Sequence, residues 1–189
     1  MRVLIACEFS GIVRDAFAAL GHDATSCDLL PSERQTGERR SHIIYDAISV
    51  AKNSPWDLII AHPPCTLLTV AGARWWAGRE REQQEAVEFA TAFEQFAPKC
   101  CTENPIGRLS TVWRKPEQII QPWQFGHGET KATCLWLKNL PLLKPTNIVA
   151  GRVPRVHFAS PGPDRWKERS RTLQGIADAM AAQWGGSVN

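Results

Sequence analysis

The hydrophobic pattern at the start of the chain alternates between short apolar runs and amphipathic segments. Residues 2–7 form an apolar run that predicts a strand, and residues 12–20 carry apolar side chains at helical spacing. Gly21 is a natural C-cap for this helix, and residues 22–27 predict a second strand that ends at Asp28. A strand, a turn, a helix and a strand in this order are typical of the beginning of a doubly wound nucleotide-binding sheet.

The same alternation continues through the middle of the chain. Residues 31–40 are polar and predict an exposed loop, whereas residues 43–45 are apolar and precede a short helix predicted over 47–52. The continuous apolar run 57–61 is typical of a strand that is buried on both faces. A long amphipathic helix and another strand are predicted next, over residues 79–96 and 98–102.

Weaker patterns follow in the last third of the chain. They predict a helical turn over 116–120, a strand over 131–137, a loop over 151–163 and a helix over 171–184. The length of 189 residues and the apolar content of 43% agree with one globular domain. We therefore expect a single α/β domain over residues 1–189, with a Rossmann-like, mostly parallel sheet and helices on both faces.

Composition narrows the setting in which the protein works. No apolar run is long enough to span a bilayer, and residues 1–6 are too short for a signal peptide. These features predict a cytoplasmic protein with no membrane partner. The six cysteines lack the spacing of a disulfide framework, so we expect reduced thiols that serve packing, metal binding or catalysis.

The charge distribution permits binding to nucleic acid without establishing it. The net charge is +3, and residues 152–171 contain six Arg or Lys residues against two acidic ones. Such a segment can neutralise phosphates. Charge alone favours an ordinary solvated basic surface.

Two apolar runs end abruptly at polar residues that include proline, and both carry candidate chemistry. The first leads to Cys65, and the second leads to Glu103 and Asn104. In an α/β fold this places both segments just beyond the carboxyl ends of two strands, where ligands bind. A thiolate is a nucleophile, and a carboxyl group can stabilise charge on a ring nitrogen. On its own, Cys65 is as readily explained by a buried structural thiol.

This pair of groups suits one known chemical problem. C5 of a pyrimidine is a poor nucleophile until another group has added to C6. A thiolate that attacks C6, helped by a carboxyl group at N3, makes C5 enamine-like and able to accept a methyl group. Asn104 would help to position the base edge.

Three acidic residues stand where the first three predicted strands end, namely Glu8, Asp28 and Asp46. Carboxylates in such places can accept ribose hydroxyls or an adenine amino group, and they can also simply cap helices. The turn 8–11 offers backbone N–H groups and one glycine, but the chain has neither G-x-G-x-x-G nor G-x-x-x-x-G-K-[ST]. A nucleoside cofactor without phosphates therefore fits better than a dinucleotide or a nucleoside triphosphate.

With these residues in place, the sequence resembles the cytosine-C5 DNA methyltransferases, in particular the short phage and prophage type that lacks a target-recognition domain. The matching motifs are Phe9-Ser10-Gly11, Pro64-Cys65 and Glu103-Asn104, with Asp28 and Asp46 at two further acidic positions. Segments 121–127, 131–137 and 169–177 extend the similarity over most of the chain. The resemblance implies a Rossmann-like methyltransferase fold, S-adenosyl-L-methionine as methyl donor and DNA as partner.

The resemblance also implies roles for individual residues. The catalytic group would consist of Cys65, Glu103, Asn104 and Arg171. The donor pocket would be formed by Glu8, Phe9, Ser10, Gly11, Asp28, Leu29, Asp46 and Pro63. The substrate would be contacted by Pro64, Thr66, His127 and Arg169, with Arg169 or Arg171 holding a phosphate or the base carbonyl.

Three departures from the family pattern keep the substrate open. Val13 and Arg14 replace the second and third glycines of the cofactor motif, and Thr66 replaces the usual glutamine after the nucleophile. Too few residues lie between Leu137 and Arg169 for a recognition domain. The substrate is therefore duplex DNA of low specificity, single-stranded DNA, DNA presented by a partner, or a free pyrimidine nucleotide.

Three other functions fit the sequence less well. An amino-methyltransferase fits poorly. The Asp/Asn/Ser-Pro-Pro-aromatic tetrad of such enzymes would fall on His62-Pro63-Pro64-Cys65, which has the wrong residue at both ends. A degenerate methyltransferase fold that only binds nucleic acid would explain the missing glycines but leaves Cys65 and Glu103 without a role. A zinc site is not expected, because His62 and Cys65 form only one closely spaced pair of ligands.

Overall fold

Seven strands form one mixed sheet in the computed structural model, which describes residues 1–158 and 162–186. They are β1 (Arg2–Ala6), β2 (Asp23–Asp28), β3 (Arg40–Ile44), β4 (Leu58–Ala61), β5 (Lys99–Pro105), β6 (Gln118–Ile120) and β7 (Thr133–Lys138). Their order across the sheet is β3-β2-β1-β4-β5-β7-β6. The first five strands pair in parallel, whereas β7 runs antiparallel to both of its neighbours.

The helices lie between the strands and after the last one. They are α1 (Ile12–Ala19), α2 (Ala47–Lys52), α3 (Glu80–Ala92), α4 (Leu109–Val112), α5 (Arg155–Phe158), α6 (Arg165–Ser170) and α7 (Gln174–Trp184). Short 3-10 turns cover Val70–Trp75, Phe93–Gln95 and Pro122–Gln124. Within the described ranges, no helix is both long and apolar enough to cross a membrane.

Alternation along the strands divides the core into two faces. Val3 and Ile5 of β1 pack with Phe17 of α1 and Met180 of α7. The intervening Leu4 packs on the opposite face, in the cluster that includes residues of α2. Because successive side chains of a strand point to opposite faces, a continuous apolar strand needs helices on both sides.

The order of the strands fixes where a ligand can bind. β1 lies between β2 and β4, so the connections that leave the centre of the sheet run to opposite sides. The crevice between the carboxyl ends of β1 and β4 is therefore the topological switch point of the sheet. The chain segments that follow β1 and β4 both enter this crevice.

The structure confirms the predicted α/β class, the mostly parallel sheet and the helices on both faces. The predicted helix over 47–52 has the same bounds as α2, and the helices predicted over 79–96 and 171–184 are shorter, as α3 and α7. The predicted helical turn over 116–120 is wrong, because residues 118–120 form β6 by pairing with β7. The predicted loop over 151–163 contains α5, and residues 159–161 lie outside the described part of the chain.

The predicted end of β5 is also wrong, and the correction concerns the site. Glu103 and Asn104 lie within β5 and not beyond it. β4 pairs with β5 only as far as Thr102, whereas β7 pairs with β5 as far as Pro105. The antiparallel partner thus extends β5 past its parallel neighbour, and Glu103 stands on the strand at the edge of the open crevice.

Candidate active site

One cavity of about 100 Å³ opens at the switch point. Its walls come from five separate parts of the chain. They are Cys7 to Ser10 after β1, His62 to Cys65 after β4, Glu103 to Pro105 in β5, Lys131 before β7, and Arg169 to Thr172 at the end of α6 and just after it. Cys65 and Glu103, which are far apart in the sequence, therefore face the same space.

The loop that carries Cys65 is held by β5. The amide Nδ2 of Asn104 donates to the carbonyl oxygen of Pro63 at 2.8 Å, and this contact is buried. The carbonyl oxygen of Cys65 accepts from the backbone N–H groups of Leu68 and Thr69, each at 2.9 Å. Pro63 and Pro64 restrict the backbone before the cysteine. The position of the sulfur is thus set by strand, turn and proline together.

Gly107 allows the same loop to approach the segment after β5. The N–H of Arg108 donates to the carbonyl oxygen of Leu68 at 2.7 Å. A Cβ atom on Gly107 would lie 1.9 Å from that oxygen, so a side chain there would push the two segments apart. The sequence analysis did not select Gly107. The feature of the sequence that could have indicated this close approach is a glycine two residues after Glu103-Asn104-Pro105.

The carboxylate of Glu103 has polar neighbours from the loop after β4 and from the β7 side. Its Oε2 lies 3.3 Å from Nδ1 of His62. Burial raises the pKa of the Glu103 carboxyl, but His62, Lys131 and the Thr133 hydroxyl outweigh burial and hold the pKa below its usual value. Glu103 is therefore a carboxylate at neutral pH. His62 and Lys131 were not selected from the sequence as site residues.

Cys65 is half-buried and protonated in the free protein. Burial raises the pKa of its thiol, and the negative charge of Glu103 raises it further. The positive charges of Lys131 and Arg169 act in the opposite direction. The pKa of the Cys65 thiol therefore depends on charges from β5, from the segment before β7 and from α6.

The basic residues at the mouth of the cavity are tied to other elements. Nζ of Lys131 donates to the carbonyl oxygen of Arg169 at 2.9 Å. Arg171 donates from Nε and Nη2 to the two carboxylate oxygens of Glu33, at 2.8 and 2.6 Å. Arg169, a predicted substrate contact, and Arg171, a predicted catalytic residue, both line the cavity.

The turn after β1 is built around Glu8. Its carboxylate accepts from the backbone N–H groups of Val13 at 2.7 Å and Arg14 at 3.2 Å, and from the Ser10 hydroxyl at 3.1 Å. Glu8 therefore caps the N-terminus of α1 from a buried position. Gly11 adopts a left-handed backbone conformation with φ of 69°, which favours glycine.

Arg14, at a position where the methyltransferases that the sequence resembles carry a glycine, has a fully buried side chain. Its guanidinium donates to Asp15, Ser26, Ser32 and the backbone oxygen of Gln35. The loop over 32–35 is thereby fastened to α1 and β2. The departure from the family motif is used for internal packing.

Asp28, Leu29 and Asp46 lie at the carboxyl ends of β2 and β3. Asp46 is the N-cap of α2, and its Oδ2 accepts from the Ser49 N–H at 2.7 Å. Oδ1 of Asp28 accepts from the Leu30 N–H at 3.0 Å, and the Leu29 side chain is 76% exposed. Burial raises the pKa of the Cys7 thiol, and Asp28 and Asp46 both contribute, so these acids lie near the β1 turn.

Two predicted substrate contacts are placed elsewhere. Thr66 is exposed, and it is not among the residues that line the cavity. Nε2 of His127 accepts from the Gly175 N–H at 3.0 Å, so His127 holds the start of α7. Four predicted donor-pocket residues also lie outside the cavity lining, namely Gly11, Asp28, Leu29 and Asp46.

The described residues contain no group of three or more His, Cys, Asp or Glu side chains that could hold a metal ion. No protein-family model and no curated protein sequence matches this chain.

Proposed function

We propose that this protein is an S-adenosylmethionine-dependent methyltransferase that methylates C5 of cytosine in DNA through a covalent bond between Cys65 and C6. The supporting observation is that a thiol and a carboxylate from two different strands line one cavity at the switch point of the sheet. Lys131 and Arg169 add positive charge on the same side.

The sheet topology supports the methyltransferase part of this proposal. The described strands form a mostly parallel sheet of order 3-2-1-4-5-7-6 with an antiparallel seventh strand, which is compatible with a Rossmann-like fold. Fold likeness alone does not determine activity, so the site residues must carry the chemistry.

The β1 side suits a cofactor without phosphates. Phosphate groups of dinucleotides bind at a helix N-terminus that follows the first strand. Here the carboxylate of Glu8 already accepts the N–H groups of Val13 and Arg14 at that place. Its negative charge would repel a phosphate, whereas a neutral ribose and an adenine ring meet no such obstacle.

The residues around this turn fit a nucleoside. Asp28 would accept the ribose hydroxyls, the exposed Leu29 would cover one face of the adenine ring, and Asp46 would accept its amino group. S-adenosylmethionine, when bound, supplies an electrophilic methyl group. Residues Cys7 to Ser10 belong to this turn and also line the cavity. The donor and the base would therefore meet beside β1.

The acceptor side supplies the nucleophile and the stabilising charges. The thiolate of Cys65 forms a bond to C6, and the electron pair of the C5–C6 double bond becomes available at C5. Glu103 faces N3, which gains a proton as the ring loses its aromatic character. After C5 has accepted the methyl group it loses its proton, the S–C6 bond breaks, and the double bond and the neutral N3 are restored.

Lys131 and Arg169 stabilise the thiolate form of Cys65, whose pKa burial and Glu103 raise. The thiol of the free protein is thus inactive until charge in the cavity is balanced. Asn104 acts on the same step indirectly, because its bond to Pro63 holds the loop that presents the sulfur.

The experiment that tests this proposal is incubation with labelled donor and four acceptors in parallel, namely duplex DNA, single-stranded DNA, RNA and dCMP. Nucleoside mass spectrometry then identifies the methylated position. We expect 5-methylcytosine in DNA. Methylation of dCMP alone would identify the enzyme as a nucleotide-modifying one, and label at N4 or in no acceptor would contradict the proposal.

A further inference from the structure

We propose that His62 is a second proton-carrying residue of the site and that it supplies, through Glu103, the proton that the pyrimidine N3 takes up. This inference rests on the proposed function for the identity of the base. It adds a residue to which the sequence analysis gave no part in the reaction.

The register of the sheet brings the two side chains together. Ala61 of β4 is the partner of Thr102 in β5, so the next residues, His62 and Glu103, stand side by side. The N–H of His62 donates to the carbonyl oxygen of Ala6 at 2.9 Å, which extends the ladder with β1 by one residue. The contact of 3.3 Å between Nδ1 and Oε2 is therefore fixed by backbone pairing.

Burial makes this contact chemically significant. The side chains of His62 and Glu103 are only 8% and 18% exposed. Nε2 of His62 is buried and has no hydrogen-bond partner among the described residues. His62 also lines the cavity.

The reaction needs a proton that Glu103 alone cannot provide. N3 of neutral cytosine is an acceptor, so the group that faces it has to donate. Glu103 is ionised at neutral pH, since its pKa lies below the usual value. A carboxylate only accepts hydrogen bonds. A protonated imidazole of His62, next to Glu103, can supply the proton that the carboxylate lacks.

The proton movement balances over one turnover. As the bond between sulfur and C6 forms, Nδ1 of His62 gives its proton to Glu103, and Glu103 gives a proton to N3. When the S–C6 bond breaks after methyl transfer, N3 returns a proton to Glu103 and the imidazole is protonated again. The proton lost from C5 passes to solvent as the one net proton that methyl transfer from a sulfonium releases, so the pair is unchanged at the end.

The same proton also acts on the nucleophile. The negative charge of Glu103 raises the pKa of the Cys65 thiol. A positive His62 offsets that charge, so the protonated pair favours the thiolate.

Every titratable group that faces Glu103 enters this balance. They are His62 and Cys65 from the loop after β4, Lys131 from the segment before β7, Cys134 from β7 and Cys101 from β5 itself. Burial raises the pKa values of Cys101 and Cys134, so both stay protonated thiols near neutral pH.

The test compares His62→Asn with His62→Ala. The amide of Asn can donate to Oε2 from about the place of Nδ1 but carries no transferable proton. Both variants should lower kcat/KM about 10- to 100-fold, and both should change the pH profile of kcat/KM. Near-normal activity with an unchanged pH profile in His62→Asn would show a positioning role only and overturn the inference.

A second readout needs no substrate. Titration of the Glu103 carboxyl by ¹³C NMR, assigned with Glu103→Gln, should show a higher pKa in His62→Asn, because the positive partner is gone. The control is His42→Asn, since His42 bonds to Ser26 and Leu30 away from the cavity. An unchanged Glu103 titration in His62→Asn would overturn the coupling even if the enzyme methylates DNA. If wild-type protein transfers no methyl group but the titration shifts, the proposed function fails and the coupled pair stands.

Discussion

The two halves of the crevice use their charged side chains in different ways. On the side of β1 to β3, the carboxylates of Glu8 and Asp46 accept backbone N–H groups at the starts of α1 and α2. On the side of β4, β5 and β7, Glu103 bonds to His62 and interacts with the thiol of Cys65 and the charge of Lys131. The first half fixes the backbone, whereas the second keeps titratable groups coupled to one another.

Substitutions in the two halves of the crevice should change different properties of the protein. Removal of a helix-capping carboxylate leaves N–H groups unpaired and lowers stability. Removal of a group from a coupled set changes the protonation of the remaining members. Substitutions on the β1 side should therefore appear in folding and donor binding, and those on the β4 side in thiol reactivity and turnover.

The largest effect is expected for Cys65→Ala. Methyl transfer should fall by at least about 10³-fold, because no other group can form the bond to C6. Donor binding, measured by isothermal titration, should be unchanged. Cys134→Ala is the matched control, since that thiol is buried in β7 near Glu103 and should leave turnover intact. Normal turnover by Cys65→Ala would remove the covalent mechanism.

Glu103→Gln should move two properties of the site in opposite directions. Methyl transfer should drop about 10²-fold. Alkylation of Cys65 by iodoacetamide at neutral pH should become faster, because loss of the Glu103 charge lowers the pKa of the thiol. Glu117→Gln serves as control, since Glu117 bonds to Leu137 and Arg114 instead. If alkylation of Cys65 is unaffected by Glu103→Gln, the two groups are not coupled.

Asp28→Asn tests the donor side. The variant keeps the size of the side chain and its contact with Leu30, but it loses the charge that would accept ribose hydroxyls. Donor affinity should weaken about tenfold, which corresponds to about 1.4 kcal/mol. The rate of Cys65 alkylation should stay the same. A change in alkylation with intact donor binding would reverse the assignment of the two halves.

The smallest effect is expected at Asp46, the N-cap of α2. Asp46→Ala should lower the free energy of unfolding by about 1 kcal/mol, and Asp46→Ser should restore most of it. The hydrogen bonds from the Ser49 side chain and backbone hold the pKa of Asp46 below its usual value. Its stabilisation is therefore present above about pH 4 and disappears as the pH falls further. A pH-independent difference in urea denaturation would contradict the capping role.

Local patterns predicted the elements whose signals lie within one segment. The apolar runs gave β1 and β4, and Asp46 before an amphipathic stretch gave α2 with its correct bounds. Cys65 and Glu103 were also predicted to meet, because the carboxyl ends of parallel strands share one edge. These inferences need only the period of the pattern and the general rules of α/β sheets.

Features that depend on pairing between distant segments could not be predicted. β6 and the extension of β5 past Thr102 both depend on β7, which lies later in the chain. The contact between His62 and Glu103 requires the register of β4 against β5, which the two sequences do not specify. Gly107 is needed only because the Leu68 carbonyl approaches it.

The most direct measurement is the intact mass of the protein after reaction with donor and a single-stranded oligonucleotide that contains 5-fluorocytosine. Fluorine at C5 leaves no proton to remove after methyl transfer, so the bond between sulfur and C6 should persist. We predict one methylated oligonucleotide attached to the peptide that contains Cys65, and no adduct in Cys65→Ala. Attachment at another cysteine, or methylation of ordinary cytosine with no trapped adduct, would contradict the account.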